Sequence, residues 1–343
     1  SYRFRMGLDL ESQGDTRRRF DNMTGVRGKL TFDQLESFKN IASYITQELS
    51  YKKITMLVGL RSDVIRLKAT DYFMSDGDQS GGRNYSRINP TLGLSWEVSP
   101  AVNLYSNLGS SFETPTMSEL SNNPSGTGGF NPELNPQQAL NYEIGAKTYF
   151  GQRVRADLAL FTIEVKDELV PYQITGQAGR VFYRNAGRSK RQGIEASLNA
   201  MLAKGLTLFS NYTYSDFTYR EYQTSAGKFD GNVLPGIPKH AAQVELRYFM
   251  PSGLFAIAQV RHASQLYADD ANAVTANGYS LLNLRLGGQK TWRKFHIEPF
   301  VGVNNLLDET YFQNVQINAS ANRYFEPAQG RFWFGGLKVG VNR

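Results

Sequence analysis

Apolar and polar positions alternate through almost the whole chain. In residues 2–11, Tyr2, Phe4, Met6, Leu8 and Leu10 share one face, and Arg3, Arg5, Gly7, Asp9 and Glu11 share the other. Residues 88–98 set Ile88, Pro90, Leu92, Leu94, Trp96 and Val98 against Asn89, Thr91, Gly93, Ser95 and Glu97. The same rhythm returns in 242–250 and 282–287. A period of two marks a strand with one apolar and one polar face. Alternation alone fits a soluble antiparallel sheet with one wetted side equally well.

Three features point away from a soluble sheet. Segments such as 53–70, 180–200 and 206–219 run far beyond the usual ~5–6 residues of a globular strand. The connections alternate in length. Short ones fall at 50–53, 99–103, 150–153, 203–205, 251–253 and 291–294. Long polar ones fall at about 12–35, 71–84, 113–138, 167–179, 220–238, 267–277 and 308–330. Aromatic residues gather at strand ends, and with 19 Tyr and 21 Phe there are enough to form a belt at each membrane interface. Short turns on one side, long loops on the other and an apolar band between aromatic girdles predict an all-β protein. The expected form is an antiparallel transmembrane β-barrel with about 14 strands in this chain.

Composition narrows the chemistry. No segment approaches the ~18–20 apolar residues of a membrane helix. Cysteine is absent, which excludes disulfides, thiolate nucleophiles and cysteine-metal sites. His240, His262 and His296 lie far apart without metal-ligand spacing, so no catalytic residue, metal site or cofactor is expected. A net charge of +7 is spread along the chain with no basic helix, which argues against nucleic acid as a partner.

Five stretches resemble, in order, the signatures of TonB-dependent outer-membrane receptors. They are SFETPT (111–116) with NPELNPQQALNYEIGAK (131–147), NAGRSKRQGIEASL (185–198), LPGIPKHAAQVEL (234–246), VGVNNLLDETYF (301–312) and RYFEPAQGRFWFGGLKV (323–339). The resemblance implies TonB-energised uptake of a scarce solute, most commonly a ferric siderophore. It also implies contact with outer-membrane lipid and lipopolysaccharide, and with phage or bacteriocin as opportunistic partners. Family barrels have about 22 strands and an N-terminal plug preceded by a TonB box. Residues 1–343 are therefore expected to be the C-terminal portion of such a barrel, with plug and TonB box outside this chain. Because the chain closes on Asn342-Arg343 and not on an aromatic residue, one or two residues are expected to follow.

The readings of individual residues are more open. Glu143 and Glu195 fall on the polar face and are expected to pair with arginines such as Arg188 or Arg191. Arg17, Arg18 and Arg19, placed in the first long loop, suit a carboxylate or catecholate ligand, or equally a solvated loop or lipopolysaccharide contact. Tyr219, Tyr222, Phe229, Tyr267, Tyr324 and Phe325 are candidates to stack on a ligand, or to form an outer aromatic girdle. Tyr267-Ala-Asp-Asp and the stretch 318–327 resemble a branch that includes ferric-siderophore transporters and a transporter of pyrroloquinoline quinone, a tricarboxylate. Asp269-Asp270 is expected to be a solvated turn. A passive diffusion channel is the alternative from a different class.

Overall fold

The computed structural model describes all residues except 126–127, 175, 178–179, 225–226 and 342–343; the expectation about the chain's last two residues falls outside the described set. One antiparallel sheet of fifteen strands forms a curved wall. Its members are β1 (Tyr2–Met23), β2 (Val26–Tyr51), β3 (Ile54–Asp71), β4 (Gly81–Ser99) and β5 (Val102–Glu113). They continue with β6 (Gln137–Phe150), β7 (Val154–Tyr172), β8 (Phe182–Ala203), β9 (Leu206–Glu221) and β10 (His240–Phe249). The last are β11 (Leu254–Ala263), β12 (Tyr279–Gly288), β13 (Phe295–Asn304) and β14 (Phe332–Val341). The fifteenth, Lys290–Trp292, continues β12 past Gln289 along the same partner, so fourteen segments cross the wall. Each strand pairs with its sequence neighbour, and no pairing joins β1 to β14 among the described residues.

The outward face carries the apolar half of each alternation. Met6, Leu10, Ile41, Val64, Ile88, Ile144, Leu337 and Val341 are all more than half exposed. In water such a surface would aggregate; in lipid it is the solvated face. Tyr51, Trp96, Phe150 and Trp292 stand outward at the short-turn end, as the girdle there requires. The turns on that side are tight, and Lys52, Gly151, Gly205, Gly253 and Arg293 sit at positive φ in them.

Many other aromatic rings lie on the inner, polar face, each over a glycine on the next strand. Tyr44 faces Gly7, Tyr105 faces Gly145, Phe161 faces Gly193, Phe255 faces Gly287, Phe334 faces Gly302 and Phe300 faces Gly336, each in direct register. A Cβ built on any of these glycines would meet the facing ring at 2.4–2.6 Å. The ring thus covers backbone that glycine leaves bare, a cross-strand device that pins register. The abundance of aromatics therefore reflects this inner packing as well as the interfacial belt.

Two sequence expectations are corrected. Residues 12–35 are not a loop: β1 and β2 continue as a two-stranded ribbon closed by Thr24-Gly25, whose φ values of 52° and 92° fit a tight hairpin turn. Charged residues can stay in a ladder when each meets an opposite charge across it, as Arg18 meets Asp33. Nor do Arg188 and Arg191 pair with Glu143 or Glu195. Arg188 contacts Glu221 (3.4 Å), its register partner, and Arg191 contacts Glu168 (2.6 Å). Glu143 sits beside the Tyr105 hydroxyl instead.

Among the described residues, buried apolar clusters form at the long-loop end. Ile65, Leu67 and Ala69 of β3 pack there with Leu120, Phe130 and Leu134 from the β5–β6 connection. That connection leaves the wall at Glu113 and turns through buried Pro115 into a short helix, α1 (Met117–Ser121). Thr116 caps α1: its hydroxyl accepts from the Glu119 N–H, and the Glu119 carboxylate accepts from the Thr116 N–H.

Candidate functional site

Alternation along β1 splits the three successive arginines. Arg18 faces outward and makes a salt bridge to Asp33 at 3.1 Å. Arg17 and Arg19 face inward and hold the Phe32 ring between them, with guanidinium carbons 4.9 and 5.0 Å from its centre. Arg17 also contacts Glu36 at 2.7 Å. The sequence triplet is therefore two inward cations and one outward one.

Arg17, Arg19 and Phe32 line a cleft of about 630 Å³ at the long-loop end, closed on its other side by α1, Gln79 and Arg180. Among the described residues, Arg17 Nε and Ser121 Oγ are shut off from solvent without a hydrogen-bond partner, as is Glu36 Oε1 beside Arg17. Arg180 was not singled out in the sequence because it stands alone in a polar stretch; only the fold brings it opposite Arg17 and Arg19.

The tyrosines behave differently from either reading given above. Tyr219 and Tyr222 are each only 2% exposed, and neither is available to stack on a ligand or to line a girdle. They pack with Phe229, at 4.7 and 5.4 Å between neighbouring ring centres, in a second buried cluster with Val170, Ala186 and Leu234. Both hydroxyls donate to one carboxylate, that of Asp270, at 2.9 and 3.0 Å. Asn318 donates to the same carboxylate at 3.0 Å and accepts from the Asp270 N–H. Arg184 completes the group by donating to the Tyr222 hydroxyl.

Asp270 is thus not a solvated turn residue but the buried node of three loops. Burial pushes its carboxyl above the usual carboxylate range, against the opposing pull of the hydrogen bonds from Tyr219, Tyr222 and Asn318. Burial, then the Asp270 charge, pushes the Tyr222 phenol upward as well. Asp269 folds back on its own loop, accepting from the Ala273 and Val274 N–H groups. Among the described residues no group of His, Asp or Glu is arranged to hold a metal ion.

The last loop extends the network across the wall. Asn318 also donates to the Pro171 carbonyl, and Ser320 donates to the Gln173 side chain. Tyr267 lies half-buried in a two-residue hairpin (Leu266–Tyr267 with Thr275–Ala276). Phe325 stacks on Phe312 at 4.4 Å, with Tyr324 beside it, both half-buried. Of the nine sequence candidates, Arg17 and Arg19 share the cleft, and the aromatic residues belong to the loop framework.

A family description of the TonB dependent receptor-like beta-barrel matches residues 1–306. The chain belongs to that family. TonB-dependent receptors are transporters of the outer membrane and not enzymes, and the outward apolar band of this wall fits that membrane. In sequence the chain is 26% identical over 211 residues to PiuA of Acinetobacter baumannii, designated a probable TonB-dependent siderophore receptor. That match covers 59% of this chain and 26% of the relative. It is 23% identical over 270 residues to the metal-pseudopaline receptor CntO of Pseudomonas aeruginosa, covering 75% of this chain and 35% of the relative. The unliganded ferric citrate transporter FecA superposes with a TM-score of 0.80 at 19% identity, over 99% of this chain and 51% of that one. The crystal structure of the siderophore receptor PiuA from Acinetobacter baumannii gives 0.73 at 18%, over 98% and 52%. The chain spans about half the length of these solved TonB-dependent receptors.

Proposed function

We propose that this chain is the C-terminal wall of a TonB-energised receptor that takes up a ferric siderophore, with plug and TonB box contributed by sequence outside residues 1–343. The observation that carries the reading is the cleft at the long-loop end. Two inward arginines and a third across from them favour an anionic, oxygen-rich chelate. Relatives named for siderophore and metal-pseudopaline uptake support the same substrate class. A tricarboxylate such as pyrroloquinoline quinone meets the same cations and is the competing ligand. A bacteriocin is a further partner for the loops, by analogy with the pyocin S2 complex of FpvAI, which superposes with a TM-score of 0.68 at 18% identity.

The test is growth of a gene-deletion strain on a panel of ferric chelates as sole iron source, and separately on the quinone as sole cofactor source. Restoring the gene is expected to rescue growth on one chelate. Rescue on the quinone alone would transfer the assignment to that ligand. Rescue on none of them would remove the proposal.

A further inference from the structure

The ladder between β4 and β5 stops short of the upper ends of both strands. The two pair from the short turn as far as Thr91 and Gly109. Beyond that point β4 runs on to Gly81 paired with β3, and β5 runs on to Glu113 paired with β6. An opening of about 680 Å³ lies between them, with Ser86 and Ile88 on one side and Ser110 and Phe112 on the other. A 3.4 Å hydrogen bond from the Ser110 hydroxyl to the Asn89 side chain marks its foot.

The phase of the strands shows what the opening exposes. In an antiparallel ladder, alternate residues turn their N–H and C=O groups to opposite neighbours. The Glu97 N–H donates to the Lys53 carbonyl, so the odd-numbered residues of β4 bond to β3. The Tyr149 N–H donates to the Ala101 carbonyl, so the odd-numbered residues of β5 bond to β6. Even-numbered residues of β4 and β5 therefore bond to each other, in the register Leu92 to Leu108 and Leu94 to Ser106. Above the break, Gly82, Asn84, Ser86 and Ile88 still direct their N–H and C=O groups toward β5. No backbone hydrogen bond takes them up among the described residues. The Pro90 nitrogen faces the same way, and with no N–H to offer it ends the ladder there.

A free edge of this kind is a template for another strand. Ile88 is the uppermost apolar residue on the outward face of β4, and Ser86, Asn84 and Gly82 continue that face above it. The edge therefore rises from the top of the apolar band into the external water, within reach of a partner outside the cell.

The charge beside the edge selects the strand. By alternation Arg83 and Arg87 point inward, and neither makes a salt bridge among the described residues. Asp63, the register partner of Arg87, is held by Arg61 at 3.0 Å. Arg87, Lys166 and Arg188 line the opening against a single acid, Glu164. An incoming strand with carboxylates on its inward face meets that excess.

We propose that the β4 edge takes up an extended acidic strand of an extracellular protein partner. Its main chain pairs antiparallel with residues 82–88, and its carboxylates turn inward to Arg83 and Arg87. The arginine cleft plays no part, so this site and the chelate site stand or fall separately.

The experiment uses the full-length protein in lipid nanodiscs and, as probe, a synthetic peptide of Val-Glu repeats as long as the edge. It is expected to bind at least roughly tenfold more tightly than the same peptide with lysine in place of glutamate. The same margin is expected over the Val-Glu peptide N-methylated at its valines, whose N–H groups meet the edge. Binding should slow amide exchange at 82–88. The S86P substitution removes an N–H that faces the opening, as at Pro90, and is expected to keep the melting temperature while weakening the peptide roughly tenfold. R83Q/R87Q should weaken it by a similar factor. Equal binding of the N-methylated peptide would overturn strand addition, and equal binding of the lysine peptide would overturn the choice of an acidic partner. Wild-type affinity in both S86P and R83Q/R87Q, or slowed exchange elsewhere alone, would overturn the placement. Protection of 82–88 without peptide, in a dimeric protein, would overturn the proposal by giving the edge to a second copy.

Discussion

The Tyr219 hydroxyl, near the end of β9, donates a 2.9 Å hydrogen bond to Asp270, 51 residues further along the chain in the loop after β11. Tyr222 and Asn318 converge on the same carboxylate, so one side chain ties together the segments after β9, after β11 and after β13. The D270A substitution takes their acceptor from two buried hydroxyls and one half-buried amide. It is expected to cost about 1–3 kcal/mol for each group that water cannot reach. Hydrogen exchange should show deprotection of 219–234, 266–276 and 316–324 together while the strands below stay protected. Deprotection of 266–276 alone would deny the coupling.

Asp270 also gives the loop layer a pH dependence of defined sign. Its folded-state pKa is raised by burial, so its contribution to stability is full below the ordinary carboxylate pKa. That contribution falls as pH rises through the raised value. Resistance of the loops to an acid-tolerant protease is expected to decline over that interval in wild type and to stay flat in D270N. A resistance that rises with pH, and does so equally in both proteins, would contradict the assignment.

Gly145 on the inner face and Gly14 on the outer face make a contrasting pair. A Cβ on Gly145 would meet the Tyr105 ring at 2.5 Å and the Leu158 carbonyl at 2.6 Å, whereas one on Gly14 meets nothing within 4 Å. G145V is expected to destabilise the wall by roughly 1–3 kcal/mol, and G14A to leave it unchanged or slightly firmer. Urea unfolding of the protein refolded into lipid vesicles measures both. Equal midpoints would show that the ring over Gly145 is not a tight fit.

Capping of α1 is a smaller effect with a local readout. T116A removes the acceptor for the Glu119 N–H and is expected to cost about 1 kcal/mol. Exchange should quicken at residues 117–121, and Leu120, fully buried in wild type, should become more open to solvent. No change in exchange there would show that packing against Leu67 alone holds the helix.

The strand pattern made the wall legible because Leu60, Val64, Ile88 and Leu92 announce their lipid face one residue at a time. What alternation could not reveal is what depends on register. That Tyr105 covers Gly145, or that Arg180 comes opposite Arg17, is set by which strand lies alongside which, and the chain carries no local mark of it. The ribbon of 12–35 was hidden for a related reason. Its residues are polar on both faces, like a loop, and only the cross-strand pairing of Arg17 with Glu36 and Arg18 with Asp33 accounts for its extended form. Asp270 misled because an Asp-Asp pair is usually solvated, and its partners lie 48 and 51 residues away.

The split of the arginine triplet yields a direct comparison of binding. R17A and R19A each remove an inward cation from the cleft and are expected to weaken binding of the anionic ligand by about 10–100-fold. R18A removes an outward residue already paired with Asp33 and is expected to leave affinity unchanged. Equal losses in all three would point to a general charge effect and not to the cleft.

Energised uptake of the anionic chelate through the arginine cleft is tested most directly by accumulation of a radiolabelled ferric chelate in whole cells. Cells would carry the wild-type gene or R17A/R19A, each with and without functional TonB. Saturable, TonB-dependent uptake in wild type, falling at least about tenfold in R17A/R19A, is the predicted result. Uptake that does not saturate, persists without TonB and ignores R17A/R19A would contradict the account and leave a passive channel in its place.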